Sequence, residues 1–398
     1  MHIFTDIQAA PPDPIYNLTT ACNADPNPQK LNLGVGVYKD AAGHIPVLDT
    51  VKTAEKRILT DEDTKNYLPI DGTPDFGEAV RSLLLGVDHS LATAPDSITL
   101  HTPGGTGALR LACELVAKNR PDATVWLSDP TWTNHAQIAQ QAGLAVRTYP
   151  YLDAETHSIL REKMFAAWAA VPAGDVVLVH GCCHNPTGLD LEPDDWQRLA
   201  ELSRERGFQV LVDLAYQGFG RGLDLDAAGV RVLADDGLPT LIASSYSKNF
   251  GLYNERTGAL TALGFGPAAN AMLSQLKVHA RSLWSSPPAH GAWIVSSILA
   301  DKELRAAWTV ELAVMRDRIN EMRSLLAESM HQHGADRDFS FITRQYGLFS
   351  LTGIDAEVNA RMRADQSIYF MSTGRINVAG LTAASIEYFC QAYVATLN

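Results

Sequence analysis

Apolar and polar positions alternate along this chain in two kinds of segment. Runs such as "ATVWLSDP", "GDVVLVHG", "FQVLVDLAYQG" and "LPTLIASSYSK" are apolar and rich in β-branched residues, then turn polar. Between them lie amphipathic stretches of helical period, such as "VKTAEKRILTD" and "EPDDWQRLAELSRERG". "TPGGTGALRLACELVAKN" reads as a glycine turn opening a helix, and "TGALTAL" as a further strand. Short strands alternating with helices predict an α/β fold: a mostly parallel sheet covered by helices on both faces. From about residue 300, "DKELRAAWTVELAVMRDRINEMRSLLAESMHQHG" keeps helical period without an internal Pro or Gly. That pattern predicts a long connector helix leaving the large domain. The tail, with "FSFITRQYGLFSLTG" and "SIYFMSTGRINVAG", reads as a compact α+β piece. The first forty-odd residues, rich in Pro, Asn and Asp, read as an extended arm with little periodic structure. The expected division is a large domain over 46–314 and a small α+β domain built from 1–45 and 315–398.

Composition narrows the function. The chain has 398 residues, 46% hydrophobic and 19% charged, which suits a well-cored globular protein. Thirty-two Lys and Arg against 45 Asp and Glu leave a net charge of −13. Such a surface repels phosphate backbones, so no nucleic-acid partner is expected. No apolar run approaches the ~18 residues of a membrane span, and no membrane association is expected. The start "MHIFTDIQAAPPDP" lacks a basic region followed by an apolar core. Five irregularly spaced cysteines suggest reduced thiols and a cytoplasmic setting.

The chemistry gathers where the strands end. In open α/β sheets, ligands bind outside the carboxyl ends of the strands. There "VWLSDPTW" delivers Trp132 and "VVLVHGCCHNPTG" delivers Asn185. "VLVDLAYQG" delivers Asp213 and Tyr216, and "LIASSYSK" delivers Ser245, Ser247 and Lys248. The "PGGTG" turn opens a helix whose first amides suit a phosphate. A pyridine-aldehyde phosphate needs each of these: a lysine for its aldehyde, a carboxylate for its ring nitrogen, donors for its ring hydroxyl, an aromatic to stack and a phosphate cup. Taken singly, each residue has a plainer reading: surface charge for Lys248, cap for Asp213, core for Trp132, loop for Asn185. Their conjunction in chain order points to the cofactor.

These segments resemble the class I aspartate/aromatic aminotransferases, pyridoxal-phosphate enzymes of fold type I. The likeness runs from "NLGVGVYKD" to "GRINVAG" and is densest in "SDPTWTNH", "HGCCHNPTG", "DLAYQGFGRG" and "SSYSKNFGLYNERTG". The resemblance implies that Lys248 binds pyridoxal 5'-phosphate covalently, Asp213 pairs with the pyridine nitrogen, Asn185 and Tyr216 contact the ring hydroxyl, and Trp132 stacks. It assigns the phosphate to Gly105, Thr106, Ser245, Ser247 and Arg256, with Tyr67 reaching the neighbouring subunit's phosphate in a homodimer with shared sites. His135 and His180 would support the aspartate. Arg375 would grip the substrate α-carboxylate beside Gly36, and Arg281 a distal carboxylate across the dimer interface. Amino acids and 2-oxo acids are the implied partners. Ser286 and Ile45 look like the aromatic-accepting members, whereas "SSYSKNFGLYNER" leans to the bacterial aspartate type. Both a dual-specificity and a strictly aspartate-specific reading therefore stay open.

Two other patterns occur in the chain. Ser245-x-x-Lys248 matches the S-x-x-K pattern of serine acyl-transfer enzymes, but the K-T-G and S-D-N elements are missing. His180, Cys182, Cys183 and His184 lack the C-x-x-C spacing of a zinc pair, so no metal is expected.

Overall fold

The computed structural model describes residues 2–11 and 13–397. Its centre is a seven-stranded sheet of β1 (Ile98–Pro103), β2 (Thr124–Asp129), β3 (Ala145–Pro150), β4 (Val176–His180), β5 (Gln209–Leu214), β6 (Thr240–Ser245) and β7 (Thr257–Leu263). The spatial order is β1-β7-β6-β5-β4-β2-β3, and only β7 runs antiparallel to its neighbours. Every strand run read from the sequence is thus present, and the sheet is mostly parallel.

Successive residues of a strand face opposite sides. In β4, Val177 and Val179 join the core on one face while Val176 and Leu178 join the core on the other. Both sets are apolar because helices cover both faces, which is why these strands look uniformly hydrophobic in sequence. On one face, helix α1 (Gly104–Asn119) supplies Leu109, Ala112 and Leu115, and α3 (Ala269–Leu283) supplies Leu276. On the other, α2 (Pro193–Arg206) supplies Trp196 and Leu199. Proline and two aspartates open α2, and Gly207, at φ 79°, closes it.

The long apolar-periodic stretch forms a single helix, α4 (Lys302–Gln332), capped by the Asp301 carboxylate. It runs without a break through the expected boundary at 314. Beyond it, β8 (Phe349–Leu351) pairs antiparallel with β9 (Arg375–Asn377). The amino-terminal segment joins this region: Leu31 and Asn32 pair with Ile368 and Tyr369, and the Asn377 amide donates to the Leu33 carbonyl at 2.8 Å.

One expectation fails. The amino-terminal arm is not wholly extended, because Pro14–Ala24 form a helix. Asp13 accepts hydrogen bonds from the Ile15 and Tyr16 amides, and Pro14 occupies the first turn. That start signal is legible in "PDPIYN", but the helix buries little beyond Leu18 and Cys22, so its apolar period is weak. Among the described residues, no helix is long and apolar enough to cross a membrane.

The sheet meets the helix start of α1 at one tight point. A Cβ on Gly258 of β7 would lie 2.3 Å from the Gly104 carbonyl carbon and 2.7 Å from the Gly105 nitrogen. Both neighbours are backbone and cannot rotate away. Gly258→Ala should therefore cost about 1–3 kcal/mol in urea unfolding. A native midpoint in this variant would mean that the turn opening α1 is free to move.

Candidate active site

The carboxyl ends of β4, β5 and β6 and the amino end of α1 surround a cavity of about 190 Å³. Its walls bring together Gly105, Thr106, Trp132, His180, Asn185, Asp213, Tyr216, Ser245, Ser247, Lys248 and Arg256. Parallel register explains part of this: His180 stands opposite Asp213 on adjacent strands. A larger groove, about 580 Å³, opens at the other end of the same strands, but neither lysine, histidine nor carboxylate lines it.

Asp213 is buried, and burial alone would raise its pKa. A 2.9 Å hydrogen bond from His135 Nε2 to Oδ2 reverses this, with help from the Lys248 charge, so the carboxyl sits below its usual range. A carboxylate only accepts, so His135 Nε2 is the donor, and Nδ1 accepts from the Thr131 hydroxyl at 2.8 Å. His180 packs against His135 at 5.1 Å between ring centres, and burial pushes its pKa down to about 3. Neither of its ring nitrogens finds a partner among the described residues. Trp132 meets His135 edge-on at 5.2 Å.

Lys248 follows β6 on a tight turn, its Nζ 4.8 Å from the centre of the Tyr216 ring. Enclosure of the amine lowers its pKa to about 8, partly opposed by Asp213 and reinforced by Arg256. Such an amine is neutral for about a tenth to a fifth of the time near physiological pH, far more than an ordinary lysine near 10.4, and that fraction is nucleophilic. Arg256, at φ 55°, donates from Nη1 to the Ser247 hydroxyl and the Tyr253 carbonyl. Gly104, at φ 71°, leaves room for this guanidinium: a Cβ there would lie 2.5 Å from Arg256 Nη2. Hydroxyls, a guanidinium and helix-start amides thus converge on one side of the lysine, a setting for a phosphate.

Arg375 lies at the rim and is only 6% exposed. It donates to the Asn185 side-chain oxygen at 3.1 Å and to the Gly34 carbonyl at 2.8 Å. Its Nε has no partner, and among the described residues it forms no ion pair. The open Nε leaves this guanidinium able to donate to one further acceptor.

The comparisons decide what this arrangement belongs to. The family model described as "Aminotransferase class I and II" matches residues 28–392. The chain is 49% identical to the aspartate aminotransferase of Salmonella typhi over 99% of its own length and all of that protein's. It is 45% identical to an aromatic-amino-acid aminotransferase of Pseudomonas aeruginosa over 98% of each chain. It superposes with TM-score 0.97 on an aromatic-amino-acid aminotransferase from Burkholderia pseudomallei covalently bound to pyridoxal phosphate, at 43% identity and full coverage of both chains.

The chain is a class I and II aminotransferase.

Its cofactor is pyridoxal phosphate, and the residues present fit that group. The cavity is lined by an enclosed amine, an ionised carboxylate, an aromatic ring and a cluster of phosphate donors, and His180 keeps two unpartnered nitrogens at its wall.

Five residues of the expected site do not line this cavity: His135 stands behind Asp213, Arg375 bonds to Asn185 from outside it, Gly36 packs against Phe349, Tyr67 is 87% exposed, and Arg281 sits on the surface end of α3, hydrogen-bonded among the described residues to Ser285. Other functional positions were not singled out from the sequence. Thr131 orients His135, and Tyr253 lines the cavity while its hydroxyl accepts from the Tyr38 amide. Trp308 of α4 donates from its indole to the Asn249 carbonyl at 2.9 Å and stacks on Phe250 at 4.3 Å, holding the turn that carries Lys248. Thr131 could have been noticed four residues before His135; nothing local links Trp308 to a turn 59 residues earlier.

The histidine–cysteine run also resolves. His184 turns to Ser128 and Thr187. Cys182 and Cys183 lie near Asp226, but burial raises both thiols and the Asp226 carboxylate is taken by the amides of Gly218, Gly220 and Arg221.

The Lys248 environment has a pH signature. Its pKa is depressed, so the neutral amine gains with pH up to about 8 and saturates above. Capture of pyridoxal phosphate by enzyme stripped of cofactor should accelerate between pH 7 and 8 and level off by pH 9. Stopped-flow absorbance checks this; a rate still climbing tenfold per unit from 8 to 10 would mean an ordinary lysine near 10.4.

Proposed function

We propose that this enzyme moves the amino group of aspartate and of aromatic amino acids to 2-oxoglutarate, each of its own side chains acting as follows. The reading rests on one observation above all: Lys248, with its pKa near 8, shares a cavity with the Asp213–His135 pair. Pyridoxal phosphate, when bound, supplies a ring that accepts the electron pair left on the substrate Cα as its proton departs. Asp213, kept ionised by His135, would hold the pyridine nitrogen in its protonated form. Asn185 and Tyr216 would hold the ring hydroxyl, and Trp132 would stack on the ring. Gly105, Thr106, Ser245, Ser247 and Arg256 would bind the phosphate. Once released by the incoming amine, Lys248 Nζ would take the proton from Cα and deliver it two atoms further along, to the carbon of the cofactor's aldehyde group. Arg375 would grip the α-carboxylate, with Gly36 leaving the approach clear.

Substrate breadth turns on Arg281. Its exposure and its slight anchoring to Ser285 support a side chain that closes on a distal carboxylate or swings to water before an aromatic ring. Ile45, apolar and half exposed, supports the same breadth. The placement of Tyr67 and Arg281 outside their own cavity supports a homodimer in which each chain completes the other's site. We read residues 46–314 as the large domain and 1–45 with 315–398 as the small one. The hydrogen bonds from the Asn377 amide to Leu33 and from the Lys39 amide to Ala379 favour that grouping. Five buried free thiols favour a reducing, cytoplasmic setting.

Lys248→Ala should lose transamination and the visible absorbance of bound cofactor. Mixed with an Arg281→Ala chain under subunit exchange, it should regain part of the activity towards aspartate, because one site of the hybrid carries both residues. Retained turnover by Lys248→Ala alone would remove the lysine from the chemistry, and exchange without rescue would remove the shared site.

Arg281→Ala should lower kcat/KM for aspartate by roughly a hundredfold or more, about 2.7 kcal/mol, and that for phenylalanine by less than about tenfold. Equal losses would show that Arg281 does not read the side chain. Absence of any phenylalanine turnover in the native enzyme would leave a strict aspartate aminotransferase.

A further inference from the structure

Arg323 of α4 is a buried arginine that the transamination chemistry leaves unexplained. It is 1% exposed and, among the described residues, pairs with no carboxylate. Burial lowers its pKa to about 10, with Cys183, Asp190 and Tyr346 opposing, so it is charged at neutral pH. Leaving a buried charge unpaired is costly, and here directed hydrogen bonds stand in for a paired carboxylate. Nη2 donates to the Gly347 carbonyl at 2.6 Å and the Phe349 carbonyl at 3.2 Å, Nε to the Ser350 hydroxyl at 3.3 Å, and Nη1 to the Asn320 side chain at 3.2 Å. Three of these four bonds hold one short stretch of chain, 347–350.

That stretch carries Phe349. The Arg375 guanidinium lies 4.2 Å above the centre of the Phe349 ring. The ring also meets Tyr216 edge-on at 6.3 Å, and it comes so close to Gly36 that a Cβ there would lie 2.4 Å from its Cζ. In the β8–β9 pair, Leu351 stands opposite Arg375 itself. Phe349 is therefore the floor under the guanidinium, and its position is transmitted to Arg375 by direct contact. A planar fork can hold two carbonyls and a hydroxyl at once; a lysine ammonium cannot reproduce that geometry.

We propose that Arg323 is a positioning residue for the substrate carboxylate: its guanidinium fixes the 347–350 backbone, which sets the Phe349 ring on which Arg375 rests. The inference builds on the reading of Arg375 as the carboxylate grip. It assigns to α4 a specific role at the substrate end of the site, separate from the hold of Trp308 on the lysine turn at the other end of the same helix.

The test uses the cofactor-loaded enzyme and maleate, a dicarboxylate with no amino group to react, with the dissociation constant measured by calorimetry. Arg323→Lys keeps the charge and the aliphatic stem. It should weaken maleate about tenfold, while the affinity for pyridoxal phosphate stays within about twofold of native. Ser350→Ala, which removes one of the three anchors, should shift maleate in the same direction by less. In a Phe349→Leu background, Arg323→Lys should add little, because the ring it positions is gone. Arg375→Lys is the control for the underlying reading. If Arg375→Lys weakens maleate and Arg323→Lys does not, the positioning role is wrong and the carboxylate grip stands. If Arg375→Lys leaves maleate unchanged, the grip itself is wrong. Equal losses of maleate and cofactor affinity in Arg323→Lys, or full additivity with Phe349→Leu, would reduce Arg323 to general support of the fold.

Discussion

The hydrogen bond between His135 and Asp213 is the interaction on which the site depends. Burial drives a carboxyl towards its neutral form, and a neutral acid could not hold a pyridine nitrogen protonated. The donor from His135, itself oriented by Thr131, keeps the charge on Asp213 inside the sheet. The opposite tendency acts on Lys248: enclosure disfavours its charged form and yields a nucleophile near neutral pH. One buried cavity thus stabilises an anion and weakens a cation. What separates the two outcomes is the placement of specific donors, since both groups are enclosed alike.

Rigid elements carry this placement. Strand register sets His180 beside Asp213, and the end of β6 sets Ser245 next to the start of α1. The turn after β6 is less regular and takes its support from α4, through Trp308 and Phe250. The same helix reaches the β8 region through Arg323. The Lys248 amine and the Arg375 guanidinium are therefore referenced to a single rod, which limits how far one can move against the other.

Arg375 and Arg281 present a physical contrast. Arg375 is buried, bonded through both terminal nitrogens and floored by an aromatic ring. Arg281 is exposed and, among the described residues, tied to a neighbouring serine alone. A buried, multiply bonded guanidinium has little rotamer freedom left to lose on binding an anion, whereas an exposed one keeps it.

The sequence by itself determined the architecture and most of the cavity. Uniformly apolar β-branched runs ending in polar residues specify buried parallel strands, and a ligand site at their carboxyl ends follows from that topology. Lys248, Asp213, Tyr216, Asn185 and Trp132 were legible because each lies at the end of its strand or within a few residues beyond it. The helix Pro14–Ala24 was missed because it buries too few residues to impose a period, though its cap was written in Asp13-Pro14. Only the tertiary structure decided which partners tune these groups. Thr131 behind His135, Trp308 on the Asn249 carbonyl and Arg323 on the 347–350 backbone act across packed elements. Their effect lies in hydrogen-bond direction and burial, quantities that exist only once helices and strands are in contact, so no local pattern of residue types encodes them.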